Sequence, residues 1–348
     1  KIAKMAKRRP ATFIAFDLLE YNKEISSYPL LERKKKLISL MEKLHITVPI
    51  HPLKRIGFTK SYSNFEELWN LLVMEYGEGI IAKRKTNRYE HGKRVDHWLK
   101  IKNWRKITGV VTQYDVANQY FSLNVLEQED WKEIGVFKHG LKETEFQSIT
   151  NLMMQKGSKA GNNIYKVPPA ITVQINCLHV DEKQIREPMF DTFRFDLPPE
   201  QCTLEKLKVD LAMIPEEVEI TNPDKPMWPD PLISKQDLRI YLRKIAPFIL
   251  PRLQNKKATL IRYPHGITDT SFYQKHRAEN SPTFVEKHIE GDEVFLLINN
   301  VEALVWIGNQ GTIEIHVPFQ KVNDDYPDEI VLDLDPPSRD QFSLAITA

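Results

Sequence analysis

"EGIIAKRK", residues 78–85, is the stretch from which the rest of the chain can be read. Glu78 and Gly79 precede a short apolar strand that ends at Lys83. Further on, "WLKIKNW" (98–104) alternates Lys100 and Lys102 with Leu99 and Ile101. On a strand, both ammonium groups therefore project from one face. Two lysines aimed at one point suit a polyphosphate, which needs neutralisation at the phosphorus under attack. A carboxylate such as Glu78 supplies a hard oxygen ligand for Mg²⁺. The wider stretch 83–106, with Arg84 and Lys85 at its start, holds ten Lys or Arg against two acids, a density that suits a nucleic-acid backbone. Taken alone, each element is equally an ordinary edge strand carrying solvated lysines.

The bulk numbers narrow the class. At 348 residues the chain is long enough for two or three domains. A hydrophobic content of 41% with 28% charged residues fits a soluble globular protein. Net charge is only +2, so local patches must carry any nucleic-acid argument. Two cysteines, Cys177 and Cys202, exclude a disulfide framework and a cysteine-rich zinc site, and a reducing cytosol fits. No apolar run is long enough to span a membrane, so no membrane partner is expected. The chain starts at Lys1 and stops in an apolar run, "FSLAITA", and reads as an excerpt of a longer protein.

Residues 1–104 mix strands and helices. "ATFIAFDLL" (11–19) predicts a strand. "PLLERKKKLISLMEKL" (29–44) predicts a helix with Leu37, Leu40, Met41 and Leu44 inward, and "SNFEELWNLLVMEYG" (63–77) a helix opened by a Ser63–Glu66 capping box. Residues 105–206 carry short β-type runs around one helical stretch near 142–156, which predicts a small barrel of the OB type. Five prolines between Pro215 and Pro231 mark a linker, placed at 207–232. In 233–348 a helix over 234–250 is capped by Ser234 and Asp237 and buries Leu238, Tyr241, Leu242 and Ile245. Strands are expected at 257–263, 293–299, 302–307, 311–317 and 329–335, with a hairpin turn near Gly308–Gly311.

In order, "FIAFDLL" (13–19), "EGIIAKR" (78–84), "WLKIK" (98–102) and "IREPMFDTFRFD" (185–196) resemble the motifs of the covalent nucleotidyltransferases, specifically ATP-dependent DNA ligases. The resemblance implies roles. Phe16 would stack on adenine. Glu78 would serve the metal and, with Lys83, the nucleotide pocket. Lys100 and Lys102 would contact the α-phosphate, and Arg186 would orient the leaving pyrophosphate. Arg194 and Asp196 are weaker candidates for holding the last motif in place. The family's nucleophilic lysine, in a Lys-x-Asp-Gly-type motif, does not precede Phe16, so the excerpt is not expected to form the enzyme–AMP intermediate.

The C-terminal third offers a second centre. "IRYPHGITDTSFYQKHRAENSPTF" (261–284) mixes Arg262, Lys275, His276 and Arg277 with Phe272 and Tyr273, which suits phosphates and stacked bases; a plain surface loop has the same composition. "EIVLDLDPP" (329–337) places Asp333 and Asp335 two apart in a β-type run, a pair that repels unless a divalent cation sits between. With "ITNPDKPMWPD" (220–230) and "GTIEIHVPF" (311–319), these pieces resemble the polymerase domain of bacterial ligase D, a primase-type enzyme of non-homologous end joining. By that resemblance Asp333 and Asp335 bind two catalytic Mg²⁺ or Mn²⁺ ions and His316 contacts the incoming triphosphate. Phe272 or Tyr273 stacks near the template, and Lys275 and Arg262 contact DNA.

The expected fold is multidomain, α+β and β: the C-terminal part of an adenylation domain (1–104), an OB-fold barrel (105–206), and the N-terminal part of a primase-polymerase-type α/β domain (233–348). The implied function is double-strand-break repair by ATP-dependent ligation coupled to end fill-in. ATP and ribonucleoside triphosphates are the nucleotides. Broken DNA and bacterial Ku are the partners, and the cytoplasmic nucleoid the location. The alternative is a non-catalytic DNA-end or Ku-binding scaffold.

Overall fold

The computed structural model describes residues 5, 6, 8, 10–48, 55–181 and 184–347. The chain divides into two compact units, Lys1–Trp104 and Arg105–Ala348. In the first, strand β1 (Phe13–Ala15) pairs in parallel with β2 (Ile56–Phe58). Helix α1 (Leu30–Lys43) packs Leu37 and Met41 against Ala15, with Leu18, Ile46 and Phe58 around them. Leu44, expected inward, lies past the helix end and is 54% exposed. Helix α2 (Phe65–Met74) starts one residue later than the capping box predicts. Asn64, not Ser63, is the cap, its side chain accepting from the N–H groups of Glu66 and Glu67. Strands β3 (Gly79–Lys83) and β4 (Trp98–Lys102) form an antiparallel hairpin. Its long loop is tied to α1: the N–H groups of Leu30 and Leu31 donate to the carbonyls of Asn87 and Lys85, each at 3.0 Å. First-turn N–H groups have no partner inside a helix, so this loop caps α1.

The second unit opens with a curled antiparallel sheet. Strands β5 (Arg105–Asp115), β6 (Tyr120–Glu127) and β7 (Asp130–Phe137) form a meander, helix α3 (Glu143–Lys156) follows, and β8 (Ile164–Cys177) returns beside β5. Strand β9 (Met189–Phe193) pairs with β8. Register shifts at Lys166/Ile171, Gln174/Ile175 and Leu123/Asn124 bend the strands, as bulges do. The curl encloses a core that includes Ile107, Phe121, Leu123, Phe137, Met153, Val173 and Ile175. The alternation in "ITVQINC" (171–177) predicts one inward face, and Val173, Ile175 and Cys177 are buried, but Thr172, expected on the other face, is buried as well.

Helix α4 (Leu204–Ala212) packs Leu207 onto this core. The proline-rich stretch is not a bare linker. It folds into a hairpin of β10 (Pro226–Pro229) and β11 (Leu232–Ser234) that buries Met227. Helix α5 (Lys235–Leu253) has the expected Ser234–Asp237 capping box. Its buried face is Leu238, Leu242 and Ala246 with Arg239 and Arg243, while Tyr241, expected inside, is 57% exposed. Strand β12 (Thr259–Arg262) is flanked by β13 (Phe272–Gln274), and strands β14 (Glu286–Glu290) and β15 (Glu293–Leu297) form a hairpin.

Two sequence expectations fail here. Residues 302–307 are not a strand but part of helix α6 (Val301–Asn309), so no hairpin turns at Gly308–Gly311. Asn300 caps it by accepting from the Ala303 N–H, and Ala303, Leu304 and Ile307 bury at helical spacing. Strand β16 (Thr312–His316) then pairs with the free edge of β12. Residues 329–335 form no strand: among the described residues the run finds no ladder partner, and Ile330 and Leu332 are 89% and 79% exposed.

Candidate functional site

Cross-strand register assembles the first candidate site. In the β3–β4 hairpin Lys83 stands opposite Trp98, Ile81 opposite Lys100, and Gly79 opposite Lys102. Paired residues share a face, so Lys83, Lys100 and Lys102 all lie on one side of the hairpin. Gly79 is required there. A Cβ at its φ of +152° would sit 2.3 Å from the Ile101 carbonyl oxygen. The close approach also lets the Asn103 N–H donate to the Glu78 carbonyl at 2.9 Å, which fixes the backbone of that acid.

Phe16 follows β1 and stands edge-on to Trp98, with ring centroids 6.3 Å apart. The Lys83 ammonium lies 4.5 Å from the Phe16 centroid and 3.8 Å from that of Trp98, a double cation–π contact. Lys102 covers Trp104 at 4.4 Å. Beneath them Arg33, fully buried, grips Asp17 through Nε and Nη2 at 3.0 and 2.8 Å. Lys34 donates to the carbonyls of Phe16 and Thr59, both at 3.3 Å. Burial pulls Lys83 and Lys34 below the ordinary lysine range, and the Asp17 carboxylate opposes the shift in both. Three cations around one carboxylate leave an excess positive field beside an aromatic ring, the chemistry that takes a nucleotide phosphate and its base. Arg84 and Lys85 are exposed at the start of the loop after β3.

Sequence reading missed Asp17, Arg33, Lys34 and Trp98 as parts of this site. A signal existed for Arg33. It occupies the row Arg33, Leu37, Met41, four apart and all buried, so within "ERKKK" it is the cation that turns inward.

In the second unit, Arg186 ends a short strand (Gln184–Arg186) paired with His179–Asp181 and is exposed. Arg194 holds Asp196 through two bonds of 2.9 and 2.7 Å, and this contact takes the Asp196 carboxyl down to about 2. On the β12 sheet Arg262 is locked by Gln310 and Gln274 and lies over Phe272 at 5.0 Å. Tyr273 is 75% exposed. Lys275 and His276 share the Glu293 carboxylate at 3.5 and 3.0 Å. Glu314 and His316 share a face of β16, with Nε2 of the histidine 3.3 Å from the carboxylate.

Asp333 and Asp335 are not brought into this arrangement. Both are exposed and lie outside any strand, so they do not project from one strand face as expected. The nearest anchor is Lys256, buried, which binds Glu329 and, at 2.9 Å, Asp328. Among the described residues, no three His, Cys, Asp or Glu side chains converge as a metal site.

Comparison with known proteins agrees with both halves of the reading. Residues 1–102 match the ATP dependent DNA ligase domain family, and residues 234–348 match the primase-polymerase domain family of LigD. The bifunctional non-homologous end joining protein LigD of Bacillus subtilis is 31% identical over 351 residues, covering 100% of this chain and 57% of that protein. The multifunctional LigD of Mycolicibacterium smegmatis is 32% identical over 128 residues, covering 35% of this chain and 17% of its own length. The chain thus spans little more than half of the first relative and a sixth of the second. Among solved structures, the polymerase domain of Mycobacterium tuberculosis ligase D in complex with DNA is 28% identical, with a TM-score of 0.29, over 30% of this chain and 38% of that one.

Proposed function

We propose that the chain belongs with the LigD-type ligase–polymerases it resembles, that its first unit binds ATP for DNA ligation, and that its second unit takes part in nucleotide addition at broken DNA ends. One observation carries the ligase half: Lys83, Lys100 and Lys102 share one hairpin face, with Phe16 against the first of them. In this reading Phe16 receives the adenine and Lys100 and Lys102 steady the α-phosphate. Glu78 would serve the metal and, with Lys83, the nucleotide pocket, and Arg84 and Lys85 meet the DNA backbone. The curled sheet of residues 105–193 acts as an OB-type domain that presents Arg186. The divisions 1–104, 105–206, 207–232 and 233–348 follow the same reading. In the second unit Arg262, Phe272, Tyr273 and Lys275 face DNA, and His316 faces a ribonucleoside triphosphate. Bacterial Ku and a nucleoid location complete the proposal.

The metal reading rests on donor chemistry alone. Carboxylates such as Glu78, Asp333 and Asp335 are hard ligands for Mg²⁺ or Mn²⁺, and among the described residues the two aspartates do not meet a third such donor. The alternative reading is a DNA-end or Ku-binding scaffold.

The test is ATP binding by the whole chain, followed by equilibrium dialysis. Replacing Lys100 and Lys102 together by alanine should weaken binding at least tenfold, and Phe16→Ala should weaken it less. Unchanged affinity in the double variant would end the ligase assignment. Loss of Mn²⁺ binding in Asp333→Ala would count against the scaffold.

A further inference from the structure

In the Tyr263–Glu314–His316 chain on the β12–β16 sheet, Tyr263 and Glu314 have no part in the roles assigned above. The Tyr263 hydroxyl donates to Oε1 of Glu314 at 2.6 Å, and Oε2 of the same carboxylate faces Nε2 of His316 at 3.3 Å. Tyr263 is itself fixed. Its N–H donates to the Gly311 carbonyl at 2.8 Å, and a Cβ on Gly311, whose φ is +77°, would lie 2.9 Å from the Tyr263 backbone carbonyl oxygen. Glu314 and His316 are in turn held in register by β12, opposite Ile261 and Thr259. The phenol bond lowers the Glu314 carboxyl below the ordinary range and raises the phenol, so a charged carboxylate and a neutral phenol meet at neutral pH.

We infer that Glu314, steadied by Tyr263, is a positioning residue that fixes His316 with its hydrogen on Nε2 and turns Nδ1 toward the incoming triphosphate. The physical reason is simple. A carboxylate can only accept, so the ring nitrogen facing it must carry the hydrogen. Nδ1 is then the nitrogen left for the ligand, and because phosphate oxygens only accept, it too must carry a hydrogen in the nucleotide complex, with the imidazolium donating to Glu314 through Nε2 and to the phosphate through Nδ1. The sheet cannot do this alone: a strand sets where a side chain leaves the backbone, but a histidine ring can still flip about its last torsion. Carboxylate partners of metal-bound histidines commonly set the ring tautomer in this way. The inference rests on the polymerase reading for the identity of the ligand, but the Glu314–His316 contact can be examined without one.

The experiment uses the whole chain, ¹⁵N-labelled at histidine, with GTP and Mg²⁺ as the probe. Long-range ¹H–¹⁵N spectra of the free protein should show His316 as the Nε2–H tautomer, assigned by its loss in His316→Ala. Glu314→Gln keeps the shape but offers one oxygen and one NH₂. When the NH₂ faces the ring, Nε2 must accept, so the spectrum should become a mixture of both tautomers. Tyr263→Phe should move it in the same direction and less. Added GTP should shift the His316 signal, and Glu314→Gln should weaken GTP binding, with wild-type circular dichroism retained. A His316 signal indifferent to Glu314→Gln would overturn the positioning role. If instead GTP neither shifts His316 nor binds more weakly to His316→Ala, the polymerase reading fails, and the role assigned to Glu314 fails with it. The first failure appears without nucleotide and the second only with it, so the two are told apart.

Discussion

Both the β3–β4 hairpin and the run 329–335 read, in sequence, as strands bearing two like charges on one face. Only the hairpin is one. Lys100 and Lys102 face the same way because β4 has a neighbour: five cross-strand pairs with β3 set its register. Asp333 and Asp335 have the same spacing and a more strongly β-type context, yet lie exposed in irregular chain. The difference teaches that period-two spacing becomes geometry only where a ladder partner is at hand. In the hairpin the partner lies in adjacent sequence.

The comparison can be broken most forcefully beneath the hairpin. Arg33 and Asp17 form a buried pair, with side chains 1% and 4% exposed. Arg33→Ala leaves the carboxylate buried without its partner and should cost about 3–5 kcal/mol. Urea unfolding followed through Trp69 and Trp98 fluorescence will show it. A loss below about 1 kcal/mol would mean that the hairpin face stands without this support. The next effect is smaller and aims at the register itself. Gly79→Val places a Cβ against the Ile101 carbonyl and should cost about 1–3 kcal/mol. It should also abolish ATP binding that Ile81→Val, on the same face, retains. Equal ATP affinity in the two variants would show that the lysines do not depend on the ladder.

Legibility followed the same physics. The capping box of α5, the alternation of β8 and the paired lysines of β4 are local patterns, and the sequence displays them directly. The strand expected at 302–307 failed because "EALVWI" is a short apolar run that suits either state. The Asn300 cap and the packing of Ala303, Leu304 and Ile307 decided for helix. Met227, expected in a linker, is buried because two strands too short to notice in sequence close a hairpin around Pro231. At the sites, Arg33 and Glu314 were hidden for a related reason. Each looks like one more surface charge until a residue distant in sequence, Asp17 or Tyr263, is placed beside it.

A smaller effect separates held carboxylates from free ones by pH. Asp196 is depressed to about 2 by its bonds to Arg194. A depressed carboxyl contributes stability that is fully present above its unfolded value, about 3.9, and is lost as pH falls through the folded one. Both side chains reach solvent, so the contribution is modest. Acid unfolding followed by Trp131 fluorescence should therefore begin at slightly higher pH in Asp196→Asn than in the wild type. Coincident acid limbs would show that the pair is not maintained in solution.

The smallest expected effect bears most directly on the opening contrast. Asp333→Ala and Asp335→Ala, alone or together, should change the unfolding free energy by no more than about 0.5 kcal/mol, the range for exposed positions. If the run 329–335 lay in a sheet with both carboxylates crowded on one face, removing one would relieve their repulsion and stabilise the fold. Urea unfolding of the double variant at low ionic strength distinguishes the two cases, because screening hides such repulsion at high salt. A gain in stability that vanishes in 1 M salt would place the pair on a strand face after all. An unchanged midpoint at both salt concentrations leaves the aspartates apart from any ladder, in contrast to the lysines that the hairpin register holds on one face.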